Sequence, residues 1–162
     1  MPRTPKSSTV LLAEDDPDDQ LLVREAWALQ QLPYELCIVK DGQEAVDYLQ
    51  HRGLYATQAA PRPRLILLDL NMPRKNGFET LAEVKADRAL SRIPVVILTS
   101  SSETAFVEQT RRLGAQGYLV KPPSLQKLGE VLEAAVRFWL ETAEPRPKVD
   151  EYELHEYLEL WQ

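Results

Sequence analysis

The sequence predicts an α/β domain built on a doubly wound, five-stranded parallel sheet. Three observations lead there. Five short apolar runs alternate with segments whose apolar residues recur every three to four positions. One run, Leu65-Ile66-Leu67-Leu68, is apolar throughout and bracketed by Pro63 and Pro73, as suits a strand covered on both faces and not a helix. Polar residues stand at the carboxyl ends of several runs, where an open parallel sheet places its ligands.

In chain order, Thr9 to Ala13 is the first strand, ending in the acid run Glu14-Asp15-Asp16-Pro17-Asp18-Asp19. Pro17 suits an early helix position, and Leu21, Leu22, Glu25, Ala26 and Leu29 carry a helical period. Leu36 to Val39 is the second strand. Asp41-Gly42 breaks before a helix carrying Ala45, Val46, Tyr48 and Leu49, and residues 51 to 64 read as a long loop, mobile at its tip. The third strand ends in Asp69. A turn, Pro73-Arg74-Lys75-Asn76-Gly77, leads to a helix carrying Phe78, Leu81, Ala82 and Val84. Pro94 to Ser100 is the fourth strand, Thr104 to Leu113 a helix closed by Gly114, and Gly117 to Lys121 the fifth strand, stopped by two prolines. Ser124 to about Thr142 reads as the last helix.

The 162 residues suffice for one globular domain with a core, and no second domain is expected. No apolar run reaches the roughly 20 residues that span a bilayer, and no signal-like segment opens the chain, so a cytoplasmic protein without membrane contact is expected. Cys37, alone and flanked by Leu36 and Ile38, excludes an internal disulfide or a thiolate metal cage and reads as a structural thiol. The net charge of −6 is uneven: residues 143 to 162 hold six acids against two bases, a local −4, leaving −2 elsewhere. Neither part has the clustered positive charge that nucleic acid requires.

Glu14, Asp15, Asp69, Thr99 and Lys121 are thus expected at one sheet edge, with a merely solvated edge as the alternative. Three gathered carboxylates repel one another, and a hard divalent cation such as Mg²⁺ relieves this. An ionised aspartate can then attack phosphorus, while Lys121 and the Thr99 hydroxyl meet the oxygens of the transferred group. This chemistry predicts a phosphorylatable aspartate.

Glu14-Asp15, Asp69-Leu70-Asn71-Met72-Pro73 with Gly77, Thr99-Ser100 and Lys121-Pro122 together resemble the motifs of the response-regulator receiver domain of two-component signalling. The resemblance covers about residues 8 to 142 and implies the flavodoxin-like strand order. It also implies that Asp69 accepts phosphate from a sensor histidine kinase, and that Glu14, Asp15, Asp69 and the backbone carbonyl of Asn71 hold Mg²⁺, Glu14 acting through water. Asp16, one place beyond the acidic pair, reads as a helix-start acid. Lys121 and Thr99 would serve the phosphoryl group, and Tyr118 would be the aromatic switch, a packed strand tyrosine being equally compatible. Asn71 and Ser101 would set the phosphoryl lifetime. Such a protein is no enzyme beyond catalysing its own phosphorylation and dephosphorylation. The rivals are a metal-dependent phosphatase, which would want a second acid where Asn71 stands, and a pseudo-receiver, which would lack a key group.

Residues 51 to 64, Ile93 to Thr99 and Phe138-Trp139-Leu140 further resemble the single-domain regulators paired with phytochrome-type kinases. Beyond the stripe Leu125, Leu128, Leu132, Ala135 and Trp139, the last helix carries surplus apolar residues. Val131, Phe138 and Trp139 are therefore assigned to a partner face, most simply a homodimer through the fourth helix, fifth strand and fifth helix; cover from the tail is the alternative. Residues 1 to 7 form an N-terminal tail. Residues 143 to 162 form an acidic, aromatic C-terminal extension, an arm that either docks on a partner subunit or kinase or frays.

Overall fold

The computed structural model describes residues 8–141, so the tail assigned to residues 1 to 7 and the arm assigned to 143 to 162 lie outside the described residues. The strands are β1 (Thr9–Ala13), β2 (Glu35–Val39), β3 (Leu65–Leu68), β4 (Val95–Thr99) and β5 (Gly117–Val120). They alternate with α1 (Pro17–Leu29), α2 (Gly42–Gln50), α3 (Gly77–Ala86), α4 (Thr104–Arg112) and α5 (Leu125–Val136). All four pairings are parallel, in the order β2-β1-β3-β4-β5. The order reverses between β1 and β3, and a crevice for ligands opens at such a point beyond the strand ends.

Side chains of a strand alternate between faces, and here both faces are covered. Val10, Leu12, Leu65, Leu67, Val96 and Leu98 meet α1 and α5 on one side. Leu11, Ala13, Ile66, Leu68, Val95 and Ile97 meet α2, α3 and α4 on the other. The continuous apolar runs follow from that double cover.

Three sequence expectations need correction. In α1 the buried residues are Val23, Ala26 and Trp27, whereas Leu21, Leu22 and Leu29 are exposed. Val23, Ala26 and Trp27 pack into the layer shared with α5 and the sheet, and Trp27 Nε1 donates to the Tyr34 carbonyl at 2.9 Å. The long 51 to 64 loop carries local structure that its composition did not suggest. It contains a 3₁₀ turn (Gly53–Ala56), Tyr48 Oη donates to the Pro61 carbonyl at 2.9 Å, and Tyr55 Oη donates to Glu44 at 2.6 Å. The last α-helix ends at Val136 and continues as a π-helical turn over Arg137–Glu141, which buries the adjacent Trp139 and Leu140. The Trp139 ring lies over Gly117, where an added Cβ would come within 2.7 Å of Trp139 Cη2. At 4% exposure Trp139 is a core residue, so its assignment to a partner face is withdrawn; Val131 and Phe138 remain half-buried.

Asp41 shows how the loops beneath the site are held. Its carboxylate caps α2, accepting from Glu44 N at 2.7 Å, and takes two bonds from Arg74, at 2.9 and 3.1 Å. Burial opposes its charge, but these donors outweigh burial and hold its pKa below the ordinary aspartate value. Its contribution is therefore full above the ordinary aspartate range and lost as pH falls through the lower folded value. Asp41→Ala is expected to cost about 1 kcal/mol at neutral pH through loss of the cap, and the difference from wild type should vanish in strong acid, as read by urea titration.

Candidate functional site

Each site residue is delivered by a strand end. Glu14 follows β1, Asp69 follows β3, Thr99 ends β4 and Lys121 follows β5. Backbone bonds lock the ends in register: Glu14 N donates to the Val39 carbonyl at 3.0 Å, Asp69 N to the Ala13 carbonyl at 3.1 Å, and Lys121 N to the Thr99 carbonyl at 2.8 Å. Carboxylate oxygens of Glu14, Asp15 and Asp69 lie within 4.8 Å of one another. Glu14 and Asp69 are buried, at 1% and 6% exposure, and Asp15 is the more open member. An all-oxygen donor set of this compactness suits a hard divalent cation.

The geometry beside Asp69 depends on a glycine. Gly77, at the start of α3, donates its N–H to the Leu70 carbonyl at 2.9 Å. A Cβ there would overlap the Asp69 carbonyl oxygen and Leu70 Cα, so no other residue lets the helix start come so close. Asn76 caps that helix in a reciprocal box with Glu79, at 2.9 Å each way. The Asp69 carboxylate in turn accepts from Leu70 N at 2.7 Å, which orients it.

Lys121 ties the cluster together. Its ammonium donates to Glu14, to Asp19 at 3.0 Å and to Asp69 at 3.4 Å. Burial works against its charge, but the Glu14 hydrogen bond and the field of Asp69 and Glu14 outweigh burial and hold its pKa above the ordinary lysine value. Burial is also the main influence on Glu14, whose pKa is pushed up to about 7, with the Asp69 charge adding to it and Lys121 opposing it. The ammonium stays charged.

Asp19 was not singled out by the sequence, where it is the last acid of a run that reads as a helix start; its position on the first turn of α1, facing Lys121, is a consequence of packing. Asp16, read as a helix-start acid, is the N-cap itself, accepting from Asp18 N at 2.9 Å.

Thr99 is fully buried, and its Oγ1 has no hydrogen-bond partner among the described residues. A buried hydroxyl left so calls for a ligand or a movement that satisfies it. Tyr118 is also fully buried, packed with the α2–α3–α4 side, and its Oη donates to the Ser101 carbonyl at 2.8 Å. Burial pushes its phenol up to about 12. Ser101 is half-buried, its Oγ accepting from Glu103 N at 3.4 Å. Asn71 is exposed and lines, with Asp15, Asn76 and Phe78, an open cleft of about 440 Å³. Phe78 stacks edge-on against Phe106, 5.4 Å between centroids, and so joins α3 to α4. Val131, Phe138 and Trp139 belong to the opposite packing layer, with α1 and α5.

Comparison with known proteins follows the same lines. The response regulator Rcp1 of Synechocystis sp. is 43% identical over 133 residues, covering 82% of this chain and 89% of that protein. The crystal structure of its Mn²⁺-bound form superimposes with a TM-score of 0.75 at 41% identity, over 87% of this chain and 99% of that one. The phosphorylated cyanobacterial phytochrome response regulator RcpA gives a TM-score of 0.76 at 41% identity, covering 84% and 96%. The response regulator RPA3017, in red light signalling of R. palustris, gives 0.79 at 32% identity, covering 88% and 99%. The family described as response regulator receiver domain matches residues 10–133. The observed strand order is the one the receiver resemblance implied, and with the acidic cluster and the lysine after β5 it has one explanation: this chain belongs to the response regulator receiver domain family.

Proposed function

We propose that Asp69 is the residue that takes up a phosphoryl group from a sensor histidine kinase, and that the protein signals by contact with other proteins. The observation that carries this reading is the single ammonium of Lys121 shared among Glu14, Asp19 and Asp69. A cation so placed neutralises the nucleophile's surroundings and lies within reach of the oxygens of a group bound to Asp69.

Glu14, Asp15, Asp69 and the carbonyl of Asn71 would hold the metal, with Mg²⁺ proposed as the ion. When bound, that ion supplies positive charge to phosphoryl oxygens that the protein alone neutralises only in part. An Asp69 oxygen attacks phosphorus as the P–N bond of the donor phosphohistidine breaks, leaving a neutral or protonated imidazole on the kinase. Lys121 turns toward the new charge, and the Thr99 hydroxyl gains the acceptor it otherwise lacks. Movement of Thr99 frees room for the Tyr118 ring, which then leaves the Ser101 carbonyl; this reshapes the face of α4, β5 and α5. Asn71 and Ser101 border the path of the water that later hydrolyses the acyl phosphate and set its lifetime. Catalysis is confined to the protein's own phosphorylation and dephosphorylation.

The presence of Asp69, Thr99 and Lys121 together speaks against a pseudo-receiver, and Asn71 at the second position after Asp69 speaks against a phosphatase. Likeness to RcpA and RPA3017 supports a phytochrome-type kinase as donor. A homodimer through α4, β5 and α5, with Val131 and Phe138 contributing, is the proposed signalling partner state. No helix among the described residues is long and apolar enough to cross a membrane, and a cytoplasmic location is part of the proposal.

Incubation with acetyl phosphate tests the reading directly. With Mg²⁺ the intact mass should rise by one phosphoryl group that acid hydrolysis removes, and chelation by EDTA should abolish the rise. Unchanged uptake in EDTA, or catalytic consumption of the donor with no protein-bound phosphate at any time, would refute it.

A further inference from the structure

At the amino-terminal edge of the sheet, opposite the Asp69 end, lies an open cleft of about 410 Å³ between the entries to β3 and β4. Three exposed arginines, Arg62, Arg64 and Arg92, stand around it, and Ile93, Trp139 and Leu140 supply apolar lining. Among the described residues no acid lines it. Among the described residues Arg62 donates only to the Ala89 carbonyl, at 2.6 Å, and Arg64 to the Leu140 carbonyl, at 3.4 Å. None of the three forms an ion pair with a carboxylate of the described residues, although Arg52, Arg74, Arg111 and Arg137 all do. Three gathered guanidiniums above an apolar floor suit an acidic peptide that also carries aromatic or aliphatic side chains.

We infer that this cleft is the docking site of the chain's own residues 149 to 162. Four observations single out that occupant. Leu140, part of the cleft wall, stands only nine positions before the start of the segment. Residues 142 to 148 span up to about 25 Å when extended, enough to turn back over the cleft. Residues 149 to 162 carry five acids (Asp150, Glu151, Glu153, Glu156, Glu159) and no lysine or arginine, the complement of three arginines without an acid. Leu154, Tyr157, Leu158 and Trp161 recur at helical spacing and would present one apolar face toward Ile93, Trp139 and Leu140. Tethering gives the segment a local concentration that a segment from another chain does not match at ordinary protein levels. Docking in this way covers the edge of the sheet remote from Asp69 and leaves the phosphorylation edge open.

The test is hydrogen exchange on the full-length chain at low ionic strength. Amides of residues 150 to 161 should exchange about tenfold more slowly than in a free peptide of that sequence, and raising the salt to about 0.5 M should remove most of that protection. Arg62→Glu with Arg92→Glu, both at exposed positions, should abolish the protection while circular dichroism shows the fold retained. Adding Glu151→Lys, Glu153→Lys and Glu156→Lys to that variant should restore it. Absence of protection in wild type, or protection that survives the arginine reversal, overturns the inference. A mixture of the arginine-reversed chain with a chain reversed only at the three glutamates decides between own-chain and exchanged docking. Protection regained in the mixture would mean that the segment docks on another copy, which also overturns it. Because neither variant touches Glu14, Asp15, Asp69, Thr99 or Lys121, phosphoryl uptake should match wild type whatever the outcome here.

Discussion

Asp69→Asn takes up no acid-labile phosphate from acetyl phosphate or from a histidine kinase, a complete loss within the resolution of intact-mass measurement. The side chain keeps its size and can still accept from Leu70 N, as Asp69 does at 2.7 Å, so the fold has no reason to change. What disappears is the ionised oxygen that attacks phosphorus, since a carboxamide oxygen is a far weaker nucleophile. The substitution also removes one of three carboxylates clustered within 4.8 Å, and relief of their repulsion should leave the metal-free variant at least as stable as wild type. Glu14 supplies a second readout. Burial chiefly, and the Asp69 charge in addition, raise its folded pKa from the ordinary glutamate value to about 7. An acid whose folded value lies above its unfolded one stabilises in the protonated form, so the metal-free protein loses stability as pH rises between those two values. With the Asp69 charge gone that loss should shrink, which denaturant titration at several pH values in EDTA would register. Phosphate uptake by the variant equal to wild type would remove Asp69 from the mechanism.

Trp139→Ala should destabilise the protein by about 3–5 kcal/mol, among the largest costs any single truncation here can carry. The ring is 4% exposed, rests over Gly117 of β5, and belongs to the layer that joins α1, α5 and the sheet. Its loss leaves a cavity that a glycine, already without a side chain, cannot fill. Phe138→Ser, next in sequence and half-buried, should cost clearly less. Urea titration of both variants decides the point. If Trp139→Ala left stability intact and lowered only the mass in solution, the residue would be an interface residue after all.

The difference between these neighbours shows where sequence reading stops. Leu65 to Leu68, Val95 to Leu98 and the strand-end residues Asp69, Thr99 and Lys121 were legible, because a strand covered on both faces must be apolar throughout and any polar residue at its tip then stands out. Asp19 was not legible, because an acid in a first helical turn has a sufficient local reason to be there, and its pairing with Lys121 joins residues 102 positions apart. Leu21, Leu22 and Leu29 misled for a similar reason. Their spacing satisfies a helical period, yet it is Val23, Ala26 and Trp27 that pack into the layer shared with α5 and the sheet.

The sequence by itself determined the parallel α/β architecture, the acidic edge and the aspartate proposed to receive the phosphoryl group, since periodicity and residue chemistry are local properties written along the chain. Only the tertiary structure decided which face of α1 is buried, that α5 widens into a π-helical turn to seat Trp139 and Leu140, and that Lys121 is shared among three carboxylates. It also gathered Arg62, Arg64 and Arg92 around one cleft. These features depend on how distant segments meet in space, where packing and long-range charge outweigh the preferences of any one segment.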